Sequence, residues 1–207
     1  MTGVKICGLR DLDTARAAMN AGADFIGLVF YPPSPRHVDT SMAWTIAREV
    51  PPDVKIVGLF VNPSDREITK ILSQVRIDMI QLHGDETPMR ILEIKAGYNK
   101  PVMKAIRVGN EDDLRDVGKF EKIADWLLFD SKHEQAHGGT GQSFNWSLLK
   151  DKVFTKPWML AGGLNASNVR QALAVVKPDA LDVSSGVESS PGVKDPDKIR
   201  AFIEMAG

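Results

Sequence analysis

The sequence predicts an α/β fold: a (β/α)8, or TIM, barrel built from one compact domain spanning residues 1–207. Three observations lead there. Eight short, mostly continuous apolar runs recur along the chain, the pattern of strands buried on both faces. Helix-like segments separate the runs, which implies right-handed crossovers and a parallel sheet. The 207 residues divide into units of about 26, enough for a compact barrel and too few for a second domain.

The strand runs, in order, are "VKIC", "DFIGLVF", "VKIVGLFV", "DMIQLH", "PVMKAIRV", "WLLFD", "WMLAG" and "ALDVSS". Between them, Ala43, Ile46, Ala47 and Val50 fall at i, i+3, i+4 and i+7, one apolar face of a helix. Ile68, Ile71, Leu72 and Val75 repeat that spacing, as do Val169, Ala172, Leu173 and Val176. Helix starts are marked chemically as well. Ser64 followed by Glu67 reads as a capping box, and Thr87-Pro88 and Asp195-Pro196 each set a capping side chain before a proline at the first helical position. The fifth and sixth helices are expected to be short or irregular: "NEDDLRDVGKFEKI" carries Gly118 in its middle, and "NWSLLK" is barely two turns. An open dinucleotide-binding sheet would need G-x-G-x-x-G after its first strand, and "CGLRDLD" does not supply it.

Charge and cysteine content narrow the function classes. Lys and Arg total 26 against 27 Asp and Glu, a formal charge of −1, so no overall field favours nucleic acid or an anionic membrane. A charged ligand must be held locally. The single cysteine cannot form an internal disulfide and fits a reducing cytosol, so a cytoplasmic location is expected. "MTGVKICGLR" lacks a signal-peptide core, so the mature chain is expected to start where it is written, and no apolar run reaches the ~18 residues of a membrane span.

A barrel places its chemistry at the C-terminal ends of its strands. Cys7, Arg36, His83, Asp130, Gly162 and Asp182 all fall at or just beyond such ends. After the seventh strand "LAGGLNASNV" leads into a helix expected to be capped by Asn165, and after the eighth "DVSSGVESSPG" supplies Ser184, Ser185 and Gly186. Together with Gly162 and Gly163 these small residues let backbone N–H groups approach an anion, and barrels commonly bind phosphate between these two loops. One phosphate site implies a small substrate with one phosphate. Residues 133–137 read "HEQAH", a literal H-E-x-x-H zinc signature, but that motif needs a helix. Here Gly138 and Gly139 follow at once and the other histidines, His37 and His83, sit at different strand ends, so a loop acting as a lid is the expectation.

The set "KICGL", "SPR", "QLHGDE", "LLFD", "GGTG" followed by "FNW", "LAGGLNASNV" and "DVSSGVESSPGVKD" resembles the phosphoribosylanthranilate isomerase family of tryptophan biosynthesis, in order and across essentially the whole chain. The resemblance implies an Amadori rearrangement of N-(5-phosphoribosyl)anthranilate to 1-(2-carboxyphenylamino)-1-deoxyribulose 5-phosphate, with no cofactor and no metal. Ring opening requires a proton on the ribose ring oxygen, and Asp130, closing an apolar run, is the expected general acid, its pKa raised by desolvation. A carboxylate paired with Lys132 is the alternative. Cys7 is the expected base for the C2 proton, which requires its thiolate. Lys5, two residues earlier on the same side of the strand, is expected to lower the thiol pKa, and Gly8 to leave room for the substrate. Arg36 is expected to hold the substrate's aromatic carboxylate with a bidentate fork, while His83 and Asp182 match pocket-lining positions. The family more often has Asp where Asn145 stands, which touches local capping only. Two other classes remain in play: an aldolase using Lys5 or Lys104 as a Schiff base, and a silent phosphate-binding barrel. The assembly is read as a monomer or a homodimer.

Overall fold

The computed structural model describes residues 2–132 and 143–207. Its eight principal strands close into a barrel in chain order: β1 (Gly3–Cys7), β2 (Phe25–Val29), β3 (Lys55–Phe60), β4 (Met79–Leu82), β5 (Val102–Val108), β6 (Trp126–Ser131), β7 (Trp158–Leu160) and β8 (Ala180–Val183). Each of the eight apolar runs forms one of these strands. All neighbours are parallel, and β1 completes the ring by pairing with β8, Lys5 opposite Asp182.

Alternation along each strand sends every second side chain into the lumen. Val57, Met79, Met103, Leu128 and Met159 form an apolar cluster there. The same alternation sets Lys5, Gln81 and Asp182 on lumen-facing positions and carries Cys7, His83 and Asp130 to the C-terminal rim. Outward residues such as Ile6, Ile26, Ile56, Ile80 and Leu181 join the larger cluster under the helices, with Ile46, Ile68, Ile91 and Phe202. That double burial explains why the strands read as continuous apolar runs.

The helices are α1 (Leu12–Ala21), α2 (Thr40–Glu49), α3 (Asp65–Leu72), α4 (Pro88–Tyr98), α5 (Val117–Glu121), α6 (Val169–Val175) and α7 (Pro196–Ala206). Ser64 and Glu67 form the expected capping box, and Thr87 and Asp195 cap α4 and α7 ahead of their prolines. The weak fifth and sixth segments are short, as expected. The fifth is a 3-10 turn, Glu111–Leu114, followed by α5, and the sixth a 3-10 turn, Trp146–Leu149, where Asn145 caps by accepting from the Ser147 amide.

Two features differ from the expectation. Asn165 caps the turn ahead of α6, its Oδ1 accepting from Ser167 N at 2.9 Å, while the residue at the start of α6 proper is Asn168, which makes no side-chain cap. The loop after β8 also contains a 3-10 turn, Ser185–Val187, and an antiparallel hairpin, β9 (Glu188–Ser190) with β10 (Val193–Lys194).

The N-terminal face carries a repeated clamp. The aspartate just before each even-numbered strand accepts a main-chain N–H from the preceding odd strand: Asp24 from Val4 at 2.8 Å, Asp78 from Ile56 at 2.9 Å, Asp125 from Val102 at 2.8 Å and Asp179 from Trp158 at 2.9 Å. The amide of each aspartate donates back to the same strand, at 2.8 to 3.0 Å. The strand ends away from the candidate site are thereby fixed in register.

Candidate active site

Cys7 ends β1, buried, and its Sγ sits over β2 where Gly27 leaves room: a Cβ on Gly27 would lie 2.9 Å from that sulfur. Lys5 is fully buried beneath it, with Nζ 2.8 Å from Asp182 Oδ1 on β8. Burial pulls the Lys5 ammonium down, but Asp182 and then Cys7 oppose it and the outcome is upward. Burial likewise pushes the Cys7 thiol up. Lys5 pulls it down, as expected, Asp182 pushes it up again and Lys194 pulls down, yet burial prevails and the thiol lies above its ordinary range. The expectation of a lowered thiol pKa is thus corrected: Lys5 acts in the predicted direction but does not outweigh desolvation. Gly8 is corrected too. It adopts φ +80°, and a side chain there would meet the aliphatic stem of Arg36 at 3.0 to 3.2 Å, so the room it leaves is filled by Arg36.

Asp130 lies at the C-terminal end of β6, buried. Its Oδ1 accepts from the Ser131 amide at 2.8 Å and its Oδ2 is 3.1 Å from His83 Nε2. Lys132, the partner considered for Asp130, pairs with Asp113 instead. His83 in turn places Nδ1 3.0 Å from Gln81 Nε2, a contact that the sequence reading missed because it depends on which residues of β4 face the lumen.

The loops after β7 and β8 meet as predicted. Asp130, Gly162, Gly163, Asp182, Ser184 and Ser185 line one small cavity. Gly162 has φ +80° and a Cβ there would lie 2.6 Å from Ser131 N, while a Cβ on Gly186 would lie 1.9 Å from Leu164 O, so the two loops and the end of β6 pack backbone against backbone. Ser184 Oγ donates to Cys7 O at 3.0 Å, tying the β8 loop to the end of β1.

Arg36 reaches the same rim, but its fork is engaged. Nε and Nη2 each lie 2.7 Å from the carboxylate oxygens of Glu188 on β9. Lys194 on β10 holds Glu188 Oε1 at 2.8 Å and the Ser184 carbonyl at 2.9 Å. Burial pushes Glu188 up, but its two cationic neighbours outweigh that and hold it below the usual carboxylate range. Burial pulls Lys194 down, and with Arg36 also nearby Glu188 does not restore it.

The two lysines of the Schiff-base alternative are engaged elsewhere. Lys5 is committed to Asp182. Lys104 alternates outward on β5 and donates to Gly84 O and to Glu86 Oε2, both at 2.6 Å, away from the cavity. "HEQAH" lies outside the described residues, and among those described no group of three or more metal-ligating side chains gathers.

Residues 4–205 match the profile of the N-(5'phosphoribosyl)anthranilate (PRA) isomerase family. The N-(5'-phosphoribosyl)anthranilate isomerase of Paracoccus denitrificans is 48% identical over 206 residues, covering 98% of this chain and 96% of that protein. The crystal structure of phosphoribosyl anthranilate isomerase from Thermotoga maritima superposes with a TM-score of 0.89 at 40% identity, over 100% of this chain and 98% of that one. A structure of the isomerase in complex with reduced 1-(o-carboxyphenylamino)-1-deoxyribulose 5-phosphate gives a TM-score of 0.86 at 39% identity, with coverage of 100% and 98%. A closed eight-stranded barrel and full-length identity at this level leave one assignment: the chain belongs to the phosphoribosylanthranilate isomerase family.

Proposed function

We propose that the protein converts N-(5-phosphoribosyl)anthranilate to 1-(2-carboxyphenylamino)-1-deoxyribulose 5-phosphate, with Asp130 as general acid and Cys7 as general base. The observation that carries the residue roles is the shared cavity in which Asp130 meets the loops after β7 and β8, with Ser184 linking that cavity to Cys7. Gly162, Gly163, Ser184, Ser185 and Gly186 take the phosphate. Their small side chains let its oxygens reach main-chain N–H groups. The ribose then lies between Asp130 and Cys7.

Asp130 delivers its proton to the ring oxygen as the C1–O bond breaks and the anilino nitrogen forms the C1 iminium. The Cys7 thiolate removes the C2 proton to give an enolamine. Transfer of the C2 hydroxyl proton away and protonation at C1 then produce the ketose. The positive iminium adds to Lys5 in favouring the thiolate, which offsets the burial that raises the thiol in the free protein. Arg36 supplies positive charge for the anthranilate carboxylate. Because Glu188 occupies its fork, Arg36 contributes a fixed charge rather than the predicted fork-to-fork pair.

The test is loss of anthranilate-type fluorescence from freshly prepared substrate. Wild type turns over, and Cys7→Ala and Asp130→Asn each lose about 100-fold or more in kcat with unchanged circular dichroism. No turnover by wild type, or turnover retained in both folded variants, overturns the assignment.

A further inference from the structure

Gln81 is fully buried, and its Oε1 makes no hydrogen bond among the described residues. An unmet buried polar atom is destabilising, a cost that the methionines sharing this lumen do not carry. The other end of the amide supplies the reason. Nε2 lies 3.0 Å from His83 Nδ1, and His83 Nε2 lies 3.1 Å from Asp130 Oδ2, so three side chains from β4, its following loop and β6 form one chain.

We propose that Gln81 is a positioning residue for Asp130, acting through His83: its NH2 group keeps His83 Nδ1 bare and so turns the imidazole into a fixed donor toward Asp130. This rests on the reading above, in which Asp130 is the acid. An amide NH2 can only donate, so the nitrogen it faces must accept, and the single proton of the neutral ring sits on Nε2. His83 then cannot take the proton of Asp130, which stays directed at the sugar ring oxygen. Once that proton has left, the Asp130 carboxylate finds two donors in place, His83 Nε2 at Oδ2 and the Ser131 amide at Oδ1. With the amide reversed, His83 Nε2 would become an acceptor that competes with the substrate.

The experiment is ¹⁵N NMR of histidine-labelled protein at neutral pH, with His83 assigned by loss of its signals in His83→Asn, alongside kinetics. Wild type shows a proton on Nε2 and none on Nδ1. Gln81→Glu, which presents an acceptor, moves a proton to Nδ1, and Gln81→Met, close in size but unable to donate, leaves a mixture of tautomers. In each, kcat falls by about tenfold, a part of what a general acid supplies, while KM stays within about twofold. In the His83→Asn background Gln81→Met changes kcat by less than about twofold. A proton on Nδ1 in wild type, an unchanged His83 spectrum in the folded variants, or a full loss persisting without His83 overturns the proposal. The spectrum is read without turnover. An inactive wild type therefore fails the isomerase assignment, whereas a misplaced proton fails the role of Gln81 alone.

Discussion

At Cys7 the charge of Lys5 and the loss of water act in opposite directions, and the loss of water is the larger. The thiol is therefore predominantly protonated at neutral pH in the free protein, and the base forms as pH rises or as the iminium arrives. Since Cys7 is the sole cysteine, thiolate ultraviolet absorbance titrates it directly. Its midpoint is expected above the ordinary thiol value of about 8.5 and, in Lys5→Met, higher still. A midpoint at or below the ordinary value would show that Lys5 outweighs burial after all. The placement of Cys7 and Asp130 was legible because each follows an apolar run, and in a parallel barrel the end of such a run is the functional face. The pairings of Lys5 with Asp182 and of His83 with Asp130 were not. Asp182 lies across the β1–β8 closure and His83 lies 47 positions from Asp130, so their pairing depends on how the strands come together in space.

The hairpin β9–β10 is the element that sequence pattern hid most completely. Three residues against two give too little alternation to read as strands, and the two glycines and the proline of "SGVESSPGVKD" read as turns. Yet it delivers Glu188 between Arg36 and Lys194, all largely buried. Removing the shared anion leaves two buried cations facing each other, so Glu188→Gln is expected to cost about 3 kcal/mol at neutral pH, a fall in Tm of roughly 6–12 °C. The folded pKa of Glu188 lies below its unfolded one. Its contribution is therefore complete above the unfolded value, near pH ~4.3, and is lost as pH falls through the folded value. Thermal unfolding of wild type and variant should thus converge as pH drops below about 4. A Tm gap that stays constant with pH would mean that packing, and not the ion triad, holds the hairpin.

Across the whole molecule, the two faces of the barrel divide the work. The C-terminal rim gathers Cys7, His83, Asp130 and the β7 and β8 loops, whereas the N-terminal rim carries the four aspartate clamps on β1, β3, β5 and β7. Eight apolar runs disclosed the strands because double burial leaves no polar alternation, but they do not reveal register, which these clamps fix. The signal was in plain view: Asp24, Asp78, Asp125 and Asp179 each stand directly before an even-numbered strand. Its meaning depends on the neighbouring strand, which local pattern does not identify. Asp179 offers the cleanest separation, since its Oδ2 meets the Trp158 amide at the end of β7 farthest from the candidate site. Asp179→Ala removes one charge-assisted hydrogen bond to the main chain and is expected to lower unfolding free energy by about 2 kcal/mol. Turnover at 25 °C, well below the transition, should stay within about twofold, because the clamp fixes register and touches none of the reacting groups. Asp130→Asn should behave in the opposite sense, losing turnover while keeping most of its stability. If denaturant unfolding shows Asp179→Ala as stable as wild type, or if its kcat falls with that of Asp130→Asn, the faces are not independent and the clamps reach into the chemistry.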